Sequence, residues 1–317
     1  MSLRVDRLSV RFWLGPRGSI DSGEVVSAVS DVSFTLRPGR LLALVGESGC
    51  GKSVLTSTLV GLLPANADVR GEVWWSAGAE RVELLGAPEP VLRDRIRGRA
   101  IGLVPQSAAT HLTPVRTLGG QLREAARVLR PSSDPGAAAL AAIAQVGLDE
   151  AALEKYPHEL SGGMAQRAGV AMALVGGPEV ILADEPTAGL DRELVEQTMD
   201  LLAGLARAGH AVLVVTHDLR AVRRVADDLA VMYASRLVET GPAGALFDRP
   251  WHPYTRGLLG ALPDGGFRPI PGDPPELTRL PDGCAFRPRC PVSEDCTGDS
   301  ELRAHGDRAV ACHPAPA

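Results

Sequence analysis

Apolar and polar positions alternate from Leu3 to Phe12, the period of a half-buried strand, and a second strand is predicted at Val32 to Leu36. A Gly-, Pro- and Ser-bearing loop, Gly15 to Gly23, separates them. Leu41 to Val45 is apolar without a break, which predicts a buried strand, and Val54 to Leu63 reads as the helix after it. Short β-like runs such as Glu72 to Trp75 occupy Gly71 to Leu85, and Ile101 to Gln106 closes with another strand. The period then turns helical over Gln121 to Leu129 and Ala137 to Val146, with the breaker Pro131 to Gly136 between them. Leu160 to Arg167 opens a further apolar helix, which runs through Val170, Met172, Ala173 and Leu174. Val180 to Asp184 and Ala211 to Thr216 are predicted as buried strands, and the helix between them, Leu194 to Ala208, buries Val195, Met199, Leu202 and Ala206 on one face. Strands alternating with helices imply an α/β core, interrupted by a helical insert.

One turn in this pattern carries chemistry. Gly46-Glu47-Ser48-Gly49-Cys50-Gly51-Lys52-Ser53 fits G-x-x-x-x-G-K-[ST] with a strand before it and a helix after it. Glycines there let backbone amides curl around phosphate oxygens, Lys52 can reach the β- and γ-phosphates, and Ser53 can ligand Mg²⁺. Asp184 and Glu185, at the end of the strand from Val180, suit the same chemistry: Asp184 would hold the metal's water shell and Glu185 would polarise the attacking water. Gln106 and His217 also fall at strand ends. Ser161, Gly162 and Gly163 open a helix and offer a second anion site, although such a sequence alone is only a helix cap.

Composition narrows the setting. The chain has 317 residues, suggesting about two domains, and 45% of them are hydrophobic, enough for a sizeable core. A net charge of −5 gives no basic field, so nucleic acid is not an expected partner. The only lysines are Lys52 and Lys155. No apolar h-region opens the chain, and no run approaches the roughly 18 apolar residues of a membrane span. A cytoplasmic protein is expected, with any membrane crossing left to other subunits.

Gln106, Leu160 to Met164, Val180 to Glu185, Ala188-Gly189-Leu190-Asp191 and His217, in that order after a P-loop, resemble the Q-loop, signature, Walker B, D-loop and H-loop of an ABC ATPase cassette. Tyr156 to Met164, Met232 to Gly241 and Pro250 to Thr255 resemble, more narrowly, the ATP-binding subunits of bacterial oligopeptide, dipeptide and nickel importers. The resemblance implies a P-loop NTPase cassette over residues 1–249, with a RecA-like core sheet, an antiparallel β subdomain and a helical subdomain at about 87–176. A Cys-rich C-terminal extension, 250–317, would follow. It also implies ATP as substrate, with Phe12 stacking on adenine and Trp13 as second choice. Ser53, Gln106 and Asp184 would attend Mg²⁺, His217 would bond the γ-phosphate, and Glu185 would be the base. A second cassette, a paralogue or the chain itself, would cap the nucleotide with its Ser161, Gly162, Gly163 and Asp191 stretch. Two permease subunits and, through them, an extracytoplasmic binding protein would complete a peripheral complex on the cytoplasmic face of the membrane. The implied cargo is a peptide, or alternatively nickel or a metal chelate; a non-transport ABC ATPase is a more distant reading. One departure is the run Gln106-Ser107-Ala108-Ala109-Thr110-His111-Leu112-Thr113-Pro114, where relatives commonly carry an Asp-Pro and an Asn-Pro.

Four of the five cysteines, Cys284, Cys290, Cys296 and Cys312, crowd near the C-terminal end, which in a cytosolic protein points to metal rather than disulfides. Their spacing differs from the C-x-x-C knuckles of zinc ribbons. A 4Fe-4S cluster, which members of the resembled branch carry, is expected ahead of Zn²⁺; His305 or His313 could replace one thiolate. Pro250 to Pro281, dense in Pro and Gly, reads as a strap laying this extension over the cassette.

Overall fold

The computed structural model describes residues 2–14, 24–296 and 301–312. The Gly15 to Gly23 loop and His313 lie outside them. In chain order, β1 (Ser2–Leu14) and β2 (Glu24–Leu36) lead to β3 (Leu41–Val45) and α1 (Lys52–Leu59), then to β4 (Ala67–Ala77) and β5 (Glu80–Glu83). The short α2 (Glu89–Val91) runs on as a π-turn over Leu92–Ile96, and β6 (Ile101–Val104) follows. Three helices, α3 (Leu118–Leu129), α4 (Pro135–Gln145) and α5 (Gly162–Leu174), separate it from β7 (Val180–Asp184). After α6 (Arg192–Arg207), β8 (Ala211–Thr216) and α7 (Leu219–Val225) come β9 (Asp228–Tyr233), β10 (Arg236–Pro242), α8 (Ala243–Asp248) and α9 (Pro253–Gly260). The hairpin of β11 (Arg303–His305) and β12 (Arg308–Val310) closes the described chain.

The strands form two sheets. One is antiparallel, in the order β2-β1-β4-β5; the other is mixed, in the order β11-β12-β10-β9-β3-β8-β7-β6. Its centre is parallel, since β3 pairs in parallel with both β8 and β9, and β7 with both β8 and β6. Uninterrupted apolar strands fit this position because both faces are covered. Leu41, Ala43 and Val45 point into a core shared with α3 to α6, while Leu42 and Leu44 point into a second core shared with α1 and the antiparallel sheet. β7 and β8 alternate in the same way, with Ile181, Ala183, Val212 and Val214 on the first side and Val180, Leu182, Leu213 and Val215 on the second.

The helical insert is capped by its own sequence. Thr117 Oγ1 accepts from Gly120 N at the start of α3, and Asp134 Oδ1 accepts from Gly136 N, with Pro135 in the first turn of α4. Their apolar faces, Leu118, Leu122 and Ala126 against Ala139, Ala142 and Ile143, are buried. The structure differs from the sequence expectation in extent: α1 stops at Leu59 rather than Leu63, turned out by Gly61 at φ +64°. β4 is one strand of 11 residues rather than broken runs. The C-terminal hairpin is not merely laid over the cassette. β12 pairs with β10, Glu239 opposite Val310, and so extends the core sheet.

Candidate functional site

The P-loop lies between β3 and α1 and is held by close approach of backbone. A Cβ on Gly46 would come within 2.1 Å of Met232 O, and one on Gly51 within 1.9 Å of Ala28 O; Gly51 also has φ +107°. Only glycine fits either place. Gly51 is the N-cap of α1 and makes no side-chain cap, so the first-turn amides of that helix face the loop. Lys52, 6% exposed, donates through Nζ to Gly46 O at 2.8 Å and Glu47 O at 3.0 Å. Cys50 is buried, and burial pushes its thiol up. A tight turn of β9 into β10, with Ala234 at φ +44° and Ser235 at φ +71°, braces the loop from behind by Ser235 N donating to Cys50 O.

Beyond the same sheet edge stand the two carboxylates. Asp184 Oδ1 accepts from Ser53 Oγ at 3.0 Å and Oδ2 from Thr56 Oγ1 at 3.3 Å. Burial pushes the Asp184 carboxyl above its ordinary range, opposed by those two hydroxyl donors and reinforced by Glu185. A buried carboxylate with an excess of negative charge around it suits a divalent cation. Glu185 donates its N–H to Val215 O and then turns left-handed at φ +45°, a conformation costing about 1–3 kcal/mol that concentrates at functional sites. Its Oε2 lies 3.0 Å from His217 Nδ1 without hydrogen-bond alignment, and that buried oxygen accepts no hydrogen bond among the described residues. Thus Lys52, Ser53, Asp184, Glu185 and His217, scattered over the sequence, meet at the C-terminal ends of β3, β7 and β8, where open α/β sheets place their ligands.

The remaining expected residues are placed as follows. Gln106 is exposed just past β6, followed by Ser107 at φ +54° and a 3-10 turn over Ala108–His111. Ala108 of the atypical loop packs directly on Gly169 of α5, where a Cβ would meet its own at 2.6 Å. Ser161 spends its hydroxyl on Met164 N as the N-cap of α5, and Asp191 caps α6 through Leu194 N. Ser161 and Gly162 are exposed, and Gly163 leans on Leu194. Phe12 is half-buried on the second core while Trp13 is 50% exposed. Ser48 and Gly49 are exposed at the loop tip.

Sequence reasoning missed three contributors. Thr56 shares Asp184. Gln121 is buried and holds the loop after the Q-loop, accepting from Thr113 N and donating to Thr113 O and Arg116 O. Arg289, from the C-terminal segment, forks onto the P-loop carboxylate of Glu47 at 2.9 and 3.1 Å. The spacing of Thr56 three residues beyond Ser53 on a helix was the one available signal.

The C-terminal segment is anchored by polar pairs. Buried Glu239 accepts from Trp251 N, His252 N and Arg308 Nη2, the last at 2.7 Å, and Arg308 also lies 3.7 Å over the Trp251 ring. His305 meets that ring edge-on. The cysteines do not form the ligand cage expected of them. No disulfide joins them, and among the described residues no group of three or more His, Cys, Asp or Glu is placed to hold a metal ion. They do share one electrostatic neighbourhood: burial, then the nearby Cys284, Cys290 and Cys296, push the Cys312 thiol up to about 11. Burial raises the Cys290 thiol as well, and burial of this kind disfavours the thiolate that binds a metal.

Among the described residues, no helix is long and apolar enough to cross a membrane. Residues 29–188 match the ABC transporter family, and residues 238–296 match the C-terminal region of oligopeptide/dipeptide transporters. The oligopeptide transport ATP-binding protein OppD of Haemophilus influenzae is 42% identical over 305 residues, spanning 93% of this chain and 91% of that protein. OppD of Salmonella typhimurium is 41% identical over 290 residues, 88% of this chain and 85% of that protein. A dimeric ATP-binding cassette solved in a post-hydrolysis state with ADP and Pi has a TM-score of 0.61 at 25% identity, over 76% of this chain and 98% of that one. The P-loop site, the cassette fold and the C-terminal match agree, and the chain belongs to the ABC transporter family, in its oligopeptide/dipeptide transporter branch.

Proposed function

We propose that this chain is the ATP-hydrolysing subunit that powers import of di- and oligopeptides through an ABC transporter. The observation that carries the reading is the convergence of Lys52, Ser53 and Asp184 with the strained Glu185 and His217 at one sheet edge, in a chain whose C-terminal region also matches peptide transporters. Relatives named for oligopeptide transport favour peptide over nickel cargo.

Lys52 leaves the carbonyls of Gly46 and Glu47 to bind the β- and γ-phosphates, while the amides of Gly49 to Ser53 cradle them. Ser53, Asp184 and Gln106 would hold Mg²⁺, which supplies charge neutralisation at the phosphates. Glu185 takes a proton from the attacking water through Oε2, and His217 bonds the γ-phosphate. Phe12 stacks on adenine, with the more exposed Trp13 as the other aromatic at the strand end. A second cassette closes the site with Ser161, Gly162 and Gly163 and its D-loop Asp191, so hydrolysis belongs to the dimer. Two permease subunits dock at the loop beyond Gln106, receiving cargo from an extracytoplasmic binding protein, and the chain acts peripherally at the cytoplasmic face.

The cysteines carry a finer inference. Four soft thiols in one electrostatic neighbourhood, Cys284, Cys290, Cys296 and Cys312, are donors of the kind that a 4Fe-4S cluster, or alternatively Zn²⁺, would take. Such a group would pin the extension; no step of the ATP cycle runs through it. Anaerobic purification with iron, sulfide and zinc analysis tests this, and a metal-free protein whose four Cys→Ser variant folds normally overturns it.

The principal test is co-purification with two multi-span permeases, followed by ATP-dependent peptide uptake in reconstituted vesicles. Uptake of nickel alone, or nuclease-sensitive capture of ribosomes or DNA without permeases, would replace the peptide reading.

A further inference from the structure

Glu47 sits at the second position of the P-loop, a negative charge beside the place where a triphosphate must bind. Each of its polar groups is held, two of them from the far end of the chain. Its carbonyl accepts from Lys52 Nζ at 3.0 Å, its N–H donates to Tyr254 Oη at 3.0 Å, and its carboxylate takes the Arg289 fork at 2.9 and 3.1 Å. Tyr254 and Arg289 both come from the C-terminal region, 207 and 242 positions further along the chain.

Neither partner is a loose surface contact. The Arg289 side chain is 6% exposed, and it also donates through Nε to Pro271 O at 3.0 Å and through Nη1 to Tyr233 Oη at 3.3 Å. Tyr233, Tyr254 and Phe286 pack ring against ring, with centroids 4.4 to 5.4 Å apart, and fix the depth of the segment carrying Arg289. A bidentate guanidinium in such a frame specifies direction as well as charge. Without it the Glu47 carboxylate is half-buried and uncompensated, free to turn toward the phosphate site and repel the nucleotide.

We propose that Arg289 is a positioning residue for the nucleotide site: with Tyr254 it clamps Glu47, neutralises its charge and presets the P-loop, so that the C-terminal extension sets the affinity for ATP. This rests on the ATPase reading above. The clamp acts on ground-state binding, since Arg289 holds the loop and touches none of the groups that take the proton.

The test is binding of a fluorescent ATP analogue and steady-state ATPase of the full-length chain, with melting temperatures recorded for every variant. Arg289→Ala should raise the nucleotide Kd and KM about tenfold or more, the loss of a charge-assisted hydrogen bond, and lower kcat at saturating ATP by less than about threefold. Arg289→Lys, which keeps charge but loses the fork, should fall between. Glu47→Gln should raise Kd less than Arg289→Ala does, and Arg289→Ala combined with Glu47→Gln should recover most of the affinity by removing the stranded charge. Unchanged Kd in Arg289→Ala, or an equal loss in the double variant, overturns the clamp. If Arg289→Ala does not fold, Arg289→Lys and the double variant decide by the same criteria. Nucleotide binding left unchanged by Lys52→Ala would instead sink the ATPase reading.

Discussion

Thr56 Oγ1 donates to Asp184 Oδ2 across 3.3 Å while Ser53, one helical turn earlier on α1, donates to Oδ1 across 3.0 Å. One carboxylate is thus oriented by two hydroxyls of a single helix, and only the first belongs to the P-loop pattern. Thr56 also donates to Ser53 O at 2.9 Å, so its one proton is shared between two acceptors.

Replacing Thr56 by Val keeps the shape and removes the donor. An orienting contact of this kind is worth about 10-fold or more in metal affinity. Thr56→Val should therefore shift the Mg²⁺ dependence of ATPase activity about tenfold upward with the melting temperature little changed. An unaltered Mg²⁺ titration would leave Thr56 with a packing role only.

Glu185→Gln retains shape and hydrogen bonding but cannot take a proton. Turnover should fall by at least about 100-fold, while ATP affinity is kept and the ATP-bound dimer lives longer in size-exclusion runs. Near-wild-type hydrolysis would remove Glu185 from the role of base.

Gly51→Ala places a Cβ 1.9 Å from Ala28 O at a residue with φ +107°. Nothing flexible can give way, because the clash is with backbone. A loss of about 3 kcal/mol in urea unfolding and of nucleotide binding is expected. Unchanged unfolding would mean that the β2 backbone can shift.

His252 is 1% exposed and accepts from Tyr254 N through Nδ1, the cap of α9. Burial lowers its pKa to about 3, so the folded state binds a proton less readily than the unfolded chain. Stability is therefore present in full above the unfolded value near 6.5 and is lost as pH falls from there toward 3. Between pH 7.5 and 5 this group should cost roughly 2 kcal/mol of unfolding free energy. His252→Asn keeps a capping oxygen, lowers stability at every pH through the lost ring, and should flatten the pH dependence by that amount. Parallel slopes for the two proteins in denaturant titrations at both pH values would refute the assignment.

Local sequence by itself determined the parallel strands β3, β6, β7 and β8 and the helices of the insert, while β9, parallel to β3, carried no signal that set it apart. Leu41–Val45, Val180–Asp184 and Ala211–Thr216 form as expected because an uninterrupted apolar run has one favourable place, the middle of a sheet covered on both faces. The P-loop glycines and the carboxylates at strand ends are equally local signals. The tertiary structure alone decided what stands behind them. Thr56 and Gln121 look like ordinary helix residues until their partners arrive from distant segments, and the pairing of β12 with β10 depends on buried Glu239 finding Arg308 69 positions away. Arg289 on Glu47 is the extreme case, because an ion pair leaves no periodicity in the chain and its worth depends on burial, which only the assembled fold provides.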